Sequence, residues 1–187
     1  HDVLLILDEI FTGFGRTGSM FACEQAAIVP DIVTLSKALT GGTMALAATI
    51  ARATVFEAFL GEDGGRALMH GPTYTGNPLA CAAAIANLDM VVKEDLAANA
   101  GEVGTYFMAR LEELAGRHKH VGEVRGRGLM IGVELVADKK TKAQFADSDL
   151  FGHFVARRCR DNGVLIRNVY DTFIISPPLI LSKAQVD

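Results

Sequence analysis

Two side chains in the first forty residues have the types and spacing that chemistry could use. Asp8, paired with Glu9, stands at the end of the apolar run at residues 3–7, and Lys37 follows a second apolar run at residues 32–35. A carboxylate can keep a heterocyclic nitrogen protonated. A lysine amine freed by desolvation can condense with a carbonyl, because burial disfavours its ammonium form. Lys37 stands among Ser36, Ala38 and Leu39, just ahead of Gly41 and Gly42, a setting that predicts a lysine withdrawn from solvent. Taken alone, Asp8 reads equally well as an ordinary strand-end acid. The two together suit a cofactor that needs both a counter-ion and a covalent anchor, and pyridoxal phosphate is such a cofactor.

The elements that must position this pair can be read from the pattern around it. Residues 3–7 are short and continuously apolar, which predicts a strand buried on both faces, and residues 32–35 predict a second one. Ligands bind at the carboxyl ends of strands in open α/β sheets, where both groups would lie. Gly13, Gly15 and Gly18 shape the intervening loop, with a short helix expected over 21–27. A strand over 45–51 and a helix over 54–60 follow, then a loop-rich stretch over 61–72. Asn77-Pro78 is a strong helix start, and the helix over 79–92 is apolar almost all round, so burial is expected either in a core or between subunits. Residues 93–118 turn amphipathic. Beyond them, strands over 121–124 and 129–136 flank a Gly126-Arg127-Gly128 turn. A helix over 148–162 closes at Gly163, and a hairpin pairs 164–166 with 172–176. This second module has the order expected of a small α+β domain.

Bulk properties narrow the function classes. Of 187 residues, 50% are hydrophobic and 21% charged, enough to bury a sizeable core. A net charge of −4 without a basic stripe argues against nucleic acid as a partner. No apolar run approaches the roughly 18 residues of a membrane span. Three dispersed cysteines suit a reduced, cytoplasmic protein. His118 and His120 read as a solvated helix end, with no metal site implied. Two patterns are decoys. LLILDE has the form of a nucleotide-hydrolase strand but lacks its phosphate loop, and GFGRTG matches a dinucleotide fingerprint by letter while standing too far from its strand. The chain opens on His1-Asp2 without a start methionine and closes at 182–187 on a helix barely begun, so it reads as a fragment of a longer protein.

DEIFTGFGRTG, SKALTGG, HGPTYTGNPLACAAA, GEVRGRGLMIGVEL and the late GVLIR…SPPLI resemble, in order and spacing, the class III (fold type I) pyridoxal-phosphate aminotransferases. The resemblance implies an α/β fold: part of a large, mostly parallel-sheet cofactor domain over 1–93, a connecting helix over 94–118 and an incomplete small C-terminal α+β domain over 119–187. It implies that Asp8 pairs with the pyridinium nitrogen, Ile10 packs on the ring and Lys37 is the Schiff-base lysine. Pro72 and Thr73 would reach the cofactor phosphate of a partner subunit in a homodimer with shared active sites, and Arg167 would bind the substrate carboxylate. Arg125 and Arg127 read as structural. The family's phosphate loop and ring-stacking aromatic would precede residue 1, so these 187 residues alone are expected to be inactive.

Within the family, FACEQAAIVPDI and KALTGGTMALAAT resemble the biotin-pathway branch, which transfers an amino group from S-adenosylmethionine to 8-amino-7-oxononanoate. The C-terminal third looks more like the ω-amine and β-alanine:pyruvate branch. Ile174 stands where biotin-pathway members commonly carry a tyrosine, seven residues after the carboxylate arginine. A decarboxylase, racemase or mutase on the same fold would keep Asp8 and Lys37, and a non-catalytic remnant is a further reading.

Overall fold

A computed structural model describes residues 3–62, 64–146 and 150–187. The expectations for His1-Asp2, and for a helix start at Ser148, lie outside the described residues. The chain divides into two compact units, one of residues 1–15 and 19–95, the other of residues 16–18 and 96–187.

In the first unit, β1 (Ile6–Asp8) pairs in parallel with β2 (Ile32–Leu35), and β2 pairs antiparallel with β3 (Ala48–Ala51). The strand at 32–35 falls where expected. β1 lies further along than the apolar run, because its pairing continues through Asp8 opposite Thr34. The expected burial of residues 3–7 on both faces is not found: Val3, Leu4 and Leu5, ahead of β1, and Ile6 within it are exposed. Short helices α1 (Ala22–Gln25) and α2 (Ala53–Glu57) follow β1 and β3.

Helix α3 (Pro78–Lys93) starts as its residues predict. The Asn77 side chain accepts hydrogen bonds from Leu79 N at 3.0 Å and Ala80 N at 3.2 Å, with Pro78 in the first turn. Such a cap contributes about 1 kcal/mol. Within this chain the burial of α3 lies on one side. Ala80, Ala84 and Val91 are buried, whereas Leu79, Ile85, Met90 and Val92 are exposed. The small alanines let the helix approach closely, and Ala84 and Leu88 join Phe14, Leu35 and Leu39 in one core cluster.

In the second unit, α4 (Leu96–Arg117) packs on a four-stranded antiparallel sheet of order β4-β5-β7-β6, made of Val121–Arg127, Met130–Leu135, Thr172–Ile175 and Arg167–Val169. Val121, Ile131, Val133, Leu135 and Phe173 form its core. Helices α5 (Phe151–Asp161) and α6 (Lys183–Val186) complete the unit.

Both hairpins differ from expectation by their turns. The ladder runs on to Arg127 opposite Met130, so the turn is Gly128-Leu129. Gly128 has φ 55°, a conformation glycine adopts without a Cβ penalty. In the second hairpin the turn is Tyr170-Asp171, which sets Arg167 opposite Ile174 and leaves Val164 and Leu165 outside the strand. His120 is not a solvated helix end: its Nδ1 lies 3.0 Å from Val136 O, and its ring meets Phe145 and Phe151. Cys23, Cys81 and Cys159 are free thiols. Among the described residues, no helix is long and apolar enough to cross a membrane.

Two glycines of α4 predict opposite effects on stability. A Cβ on Gly104 would stand 2.2 Å from the Gly128 carbonyl oxygen, a backbone contact that cannot swing away. Gly104→Ala should therefore lower stability by about 1–3 kcal/mol, as overpacking does. A Cβ on Gly116 meets nothing within 4 Å, so Gly116→Ala should raise it by about 0.5–1 kcal/mol through helix propensity. Urea unfolding of the two variants followed by circular dichroism measures both signs.

Candidate active site

The site is built on the carboxyl edge of the parallel pair. Asp8 closes β1 opposite Thr34, the Glu9 amide donates to Thr34 O at 3.0 Å, and Lys37 begins the 3-10 turn Lys37–Thr40 directly after β2. Acid and amine thus leave neighbouring strands at the same edge. Asp8 Oδ1 accepts from the Ile10 amide at 2.9 Å, which turns the chain sharply after the strand. Among the described residues, Asp8 Oδ2 accepts no hydrogen bond.

The two acids of the pair have different fates. Glu9 is 2% exposed. It accepts from Ala22 N at 3.0 Å, Cys23 N at 2.8 Å and the Thr12 hydroxyl, closing the glycine loop onto the start of α1. Burial pushes its carboxyl upward, but the donors from Thr12, Ala22 and Cys23 outweigh burial and hold it below the ordinary 4.5. The same burial, with the Glu9 charge beside it, pushes the Cys23 thiol up. Glu9 is the scaffold acid; Asp8 is the one left facing solvent.

Lys37 departs from its expected setting. Its side chain is exposed rather than desolvated, with Nζ 5.0 Å from the centroid of the Phe11 ring. Ser36 links β2 to Lys37, and the 3-10 turn that Lys37 begins carries the side chain out at the sheet's edge. The backbone there is unusual: Lys37 has φ 43°, in the left-handed region. A non-glycine residue held there costs of order 1–3 kcal/mol and persists only where its surroundings enforce it. Gly41, at φ 60°, ends the turn, and Ser36 Oγ donates to Leu46 O at 2.8 Å on its other side.

Ile10 is half-buried beside Asp8. Pro72 and Thr73 lie in an exposed turn of the first unit, where Pro72 O accepts from Thr75 N at 3.0 Å. Arg167 is exposed on β6 of the second unit, with Ile174 directly across the ladder. Arg125 lies 3.2 Å from Glu134 and 3.8 Å from Glu123. The chemistry of the donor set fits pyridoxal phosphate: a carboxylate oxygen not engaged by the described residues and a primary amine without an ion-pair partner among them, on one sheet edge. Phe11 was legible only as a neighbour in DEIFTGFGRTG; nothing in its type announces a ring under the lysine.

An α/β chain with an acid and a lysine at adjoining parallel strand ends defines a narrow class, and comparison with known proteins agrees. Residues 1–187 match the family aminotransferase class-III, and the chain belongs to it. Its fold is that of the fold type I transaminases. The adenosylmethionine-8-amino-7-oxononanoate aminotransferase of Aquifex aeolicus is 43% identical over 188 residues, covering 100% of this chain and 41% of that protein. The crystal structure of the same-named aminotransferase from Methanocaldococcus jannaschii matches with TM-score 0.93 at 42% identity, over 99% of this chain and 43% of that one. An amine transaminase from an uncultivated Pseudomonas species, in its pyridoxal-phosphate-bound form, matches with TM-score 0.94 at 42% identity, over 98% of this chain and 42% of that one. The chain spans about two fifths of the length of these relatives.

Glu9 generates a pH-dependent prediction. Its folded carboxyl lies below 4.5, so its contribution to stability is complete above about pH 4.5 and is lost as pH falls through the folded value. Glu9→Gln, which offers one acceptor oxygen to several donors, should cost about 1–3 kcal/mol at pH 7. The gap between variant and unaltered protein should close on acidification below pH 4.5, as read from urea midpoints across pH 3–7.

Proposed function

We propose that the full-length protein is a pyridoxal-phosphate-dependent aminotransferase that moves an amino group between a small-molecule amine and a keto acceptor. The observation that carries this is the pairing of Asp8 with Thr34, which brings the acid and Lys37 to one sheet edge in a chain of class III sequence. Pyridoxal phosphate, when bound, supplies a pyridinium ring that draws charge away from the substrate's Cα. Asp8 would receive the ring N–H on its carboxylate and keep that nitrogen protonated. Lys37 Nζ would hold the cofactor's aldehyde carbon between turnovers and, released by the donor amine, take the proton from the donor's Cα as general base, then return one to the acceptor as general acid. Ile10 would pack on the ring. Arg167 would bind a substrate carboxylate through its guanidinium fork.

The working assembly in this reading is a homodimer with shared active sites, in which Pro72 and Thr73 reach the phosphate held by the other subunit, and the protein is cytoplasmic. Residues 1–93 would form the C-terminal half of the cofactor domain, 94–118 a connecting helix and 119–187 the small domain. The preferred reaction is transfer from S-adenosylmethionine to 8-amino-7-oxononanoate, giving 7,8-diaminononanoate for biotin synthesis. It is supported by the similarity to the Aquifex and Methanocaldococcus enzymes. One observation favours a second reading, an ω-amine or β-amino acid:pyruvate aminotransferase. Ile174, standing where the biotin branch commonly has tyrosine, is the cross-strand neighbour of Arg167, so an apolar side chain borders the carboxylate-binding arginine.

Borohydride reduction of the full-length, cofactor-loaded protein should label Lys37, and Lys37→Ala should lower kcat by about a hundredfold to ten-thousandfold, the usual worth of a positioned acid/base. An unlabelled Lys37 would falsify the assignment. A donor screen of S-adenosylmethionine and lysine against alanine and β-alanine separates the two substrate readings. Turnover with S-adenosylmethionine is the expected result, and a preference for β-alanine would transfer the choice to the pyruvate branch.

A further inference from the structure

Helix α3 is apolar from Leu79 to Val92 except at Asn87 and Asp89. Asp89 is exposed, whereas Asn87 is half-buried between Ala84 and Leu88, which pack on Leu39 and Ala38 of the 3-10 turn. The Asn87 side-chain nitrogen donates to Ala38 O at 2.7 Å and to Leu39 O at 3.3 Å. Two carbonyl oxygens face it, so the amide's NH2 group, with its pair of donors, must stand there. The amide oxygen sits 2.6 Å from where a Cβ on Gly41 would lie, so the glycine's bare Cα is what admits the side chain.

The other bonds of this segment are local. Leu39 N donates to Ser36 O, Gly41 N to Ala38 O, and Thr43 to Thr40 O through both its amide and its hydroxyl. Asn87 reaches the turn from 48 and 49 residues away. It grips the first two carbonyls after Lys37, the residue held at φ 43°. Rotation of Lys37 back to a negative φ would swing both peptides, and both bonds resist it.

We propose that Asn87 is a positioning residue: by tying the Ala38 and Leu39 carbonyls to α3 it holds Lys37 in its left-handed backbone and fixes where the amine stands during proton transfer. The inference rests on Lys37 being the reactive lysine. A leucine at 87 would keep the packing but leave two carbonyls without their donor. An aspartate would keep the shape and set charge against them.

The test uses the full-length protein with Asn87→Asp, Asn87→Ser and, as control, Asn99→Asp. Asn99 makes like bonds elsewhere, to Leu179 O at 2.6 Å and Leu181 O at 3.2 Å. Three readouts are taken: hydrogen exchange at the Leu39, Gly41 and Thr43 amides of the cofactor-free protein, kcat and KM of the loaded protein, and borohydride labelling of Lys37. Asn87→Asp should speed exchange at these amides by about tenfold, as both bonds from its side-chain nitrogen are lost. It should also lower kcat about tenfold with KM within about twofold, since misplacing a reacting group costs rate rather than binding. Asn99→Asp should do neither. If Asn87→Asp does not fold, Asn87→Ser decides in the same direction. Labelled Lys37 with exchange and kcat unchanged in the Asn87 variants overturns the positioning role alone. Unlabelled Lys37 in the unaltered protein overturns the functional reading and this inference with it.

Discussion

The parallel pairing of β1 with β2 is the constraint from which the rest of the site follows. Its register, Asp8 against Thr34, leaves no freedom in where the acid emerges relative to the turn that starts at Lys37. A slip of one residue would reverse the face of every side chain on β1. The pairing is extended by the Glu9 amide, which donates to Thr34 O, and the same residue's buried carboxylate gathers Thr12, Ala22 and Cys23. One residue therefore secures the register through its backbone and closes the following loop through its side chain. The neighbouring Asp8 spends one oxygen on the Ile10 amide, and among the described residues its other oxygen accepts no hydrogen bond.

On the other strand, order is imposed by packing from a distance. α3 buries alanines against the turn after β2, and only small side chains allow the approach that lets Asn87 reach the Ala38 and Leu39 carbonyls. The unfavourable conformation of Lys37 is thus held by contacts that each look ordinary: a glycine without a Cβ, an amide with two acceptors, a leucine in a cluster. Local unfavourable geometry at one residue is sustained by the favourable packing of many.

What could be read from the residues alone was what depends on near neighbours. The strand at 32–35 is a β-branched and apolar run bounded by Pro30-Asp31 and Ser36, and the start of α3 is encoded by Asn77-Pro78. The acid and lysine were legible as a pair because each closes such a run. Hairpin turns were misplaced, because Gly126 and Gly128 both suit a turn and only pairing with the partner strand selects Gly128-Leu129. The solvent exposure of Lys37 was missed for a related reason: an apolar neighbourhood in sequence says nothing of the direction in which a 3-10 turn carries a side chain. Asn87 left one faint sign, a polar residue breaking an apolar helix stripe, with no means of telling which carbonyls it would meet.

β1 is the outermost strand of its sheet, and the residues leading into it, Val3 and Leu4, join Ile6 in facing water. Among the described residues no charge or proline blunts this border before Asp8. Unpaired amides beside bare aliphatic side chains are a template for another chain to add itself, the geometry from which intermolecular sheets grow. The feature that aligns the acid with the lysine therefore also leaves, in this stretch of polypeptide taken by itself, an open strand border onto which a further strand can pair.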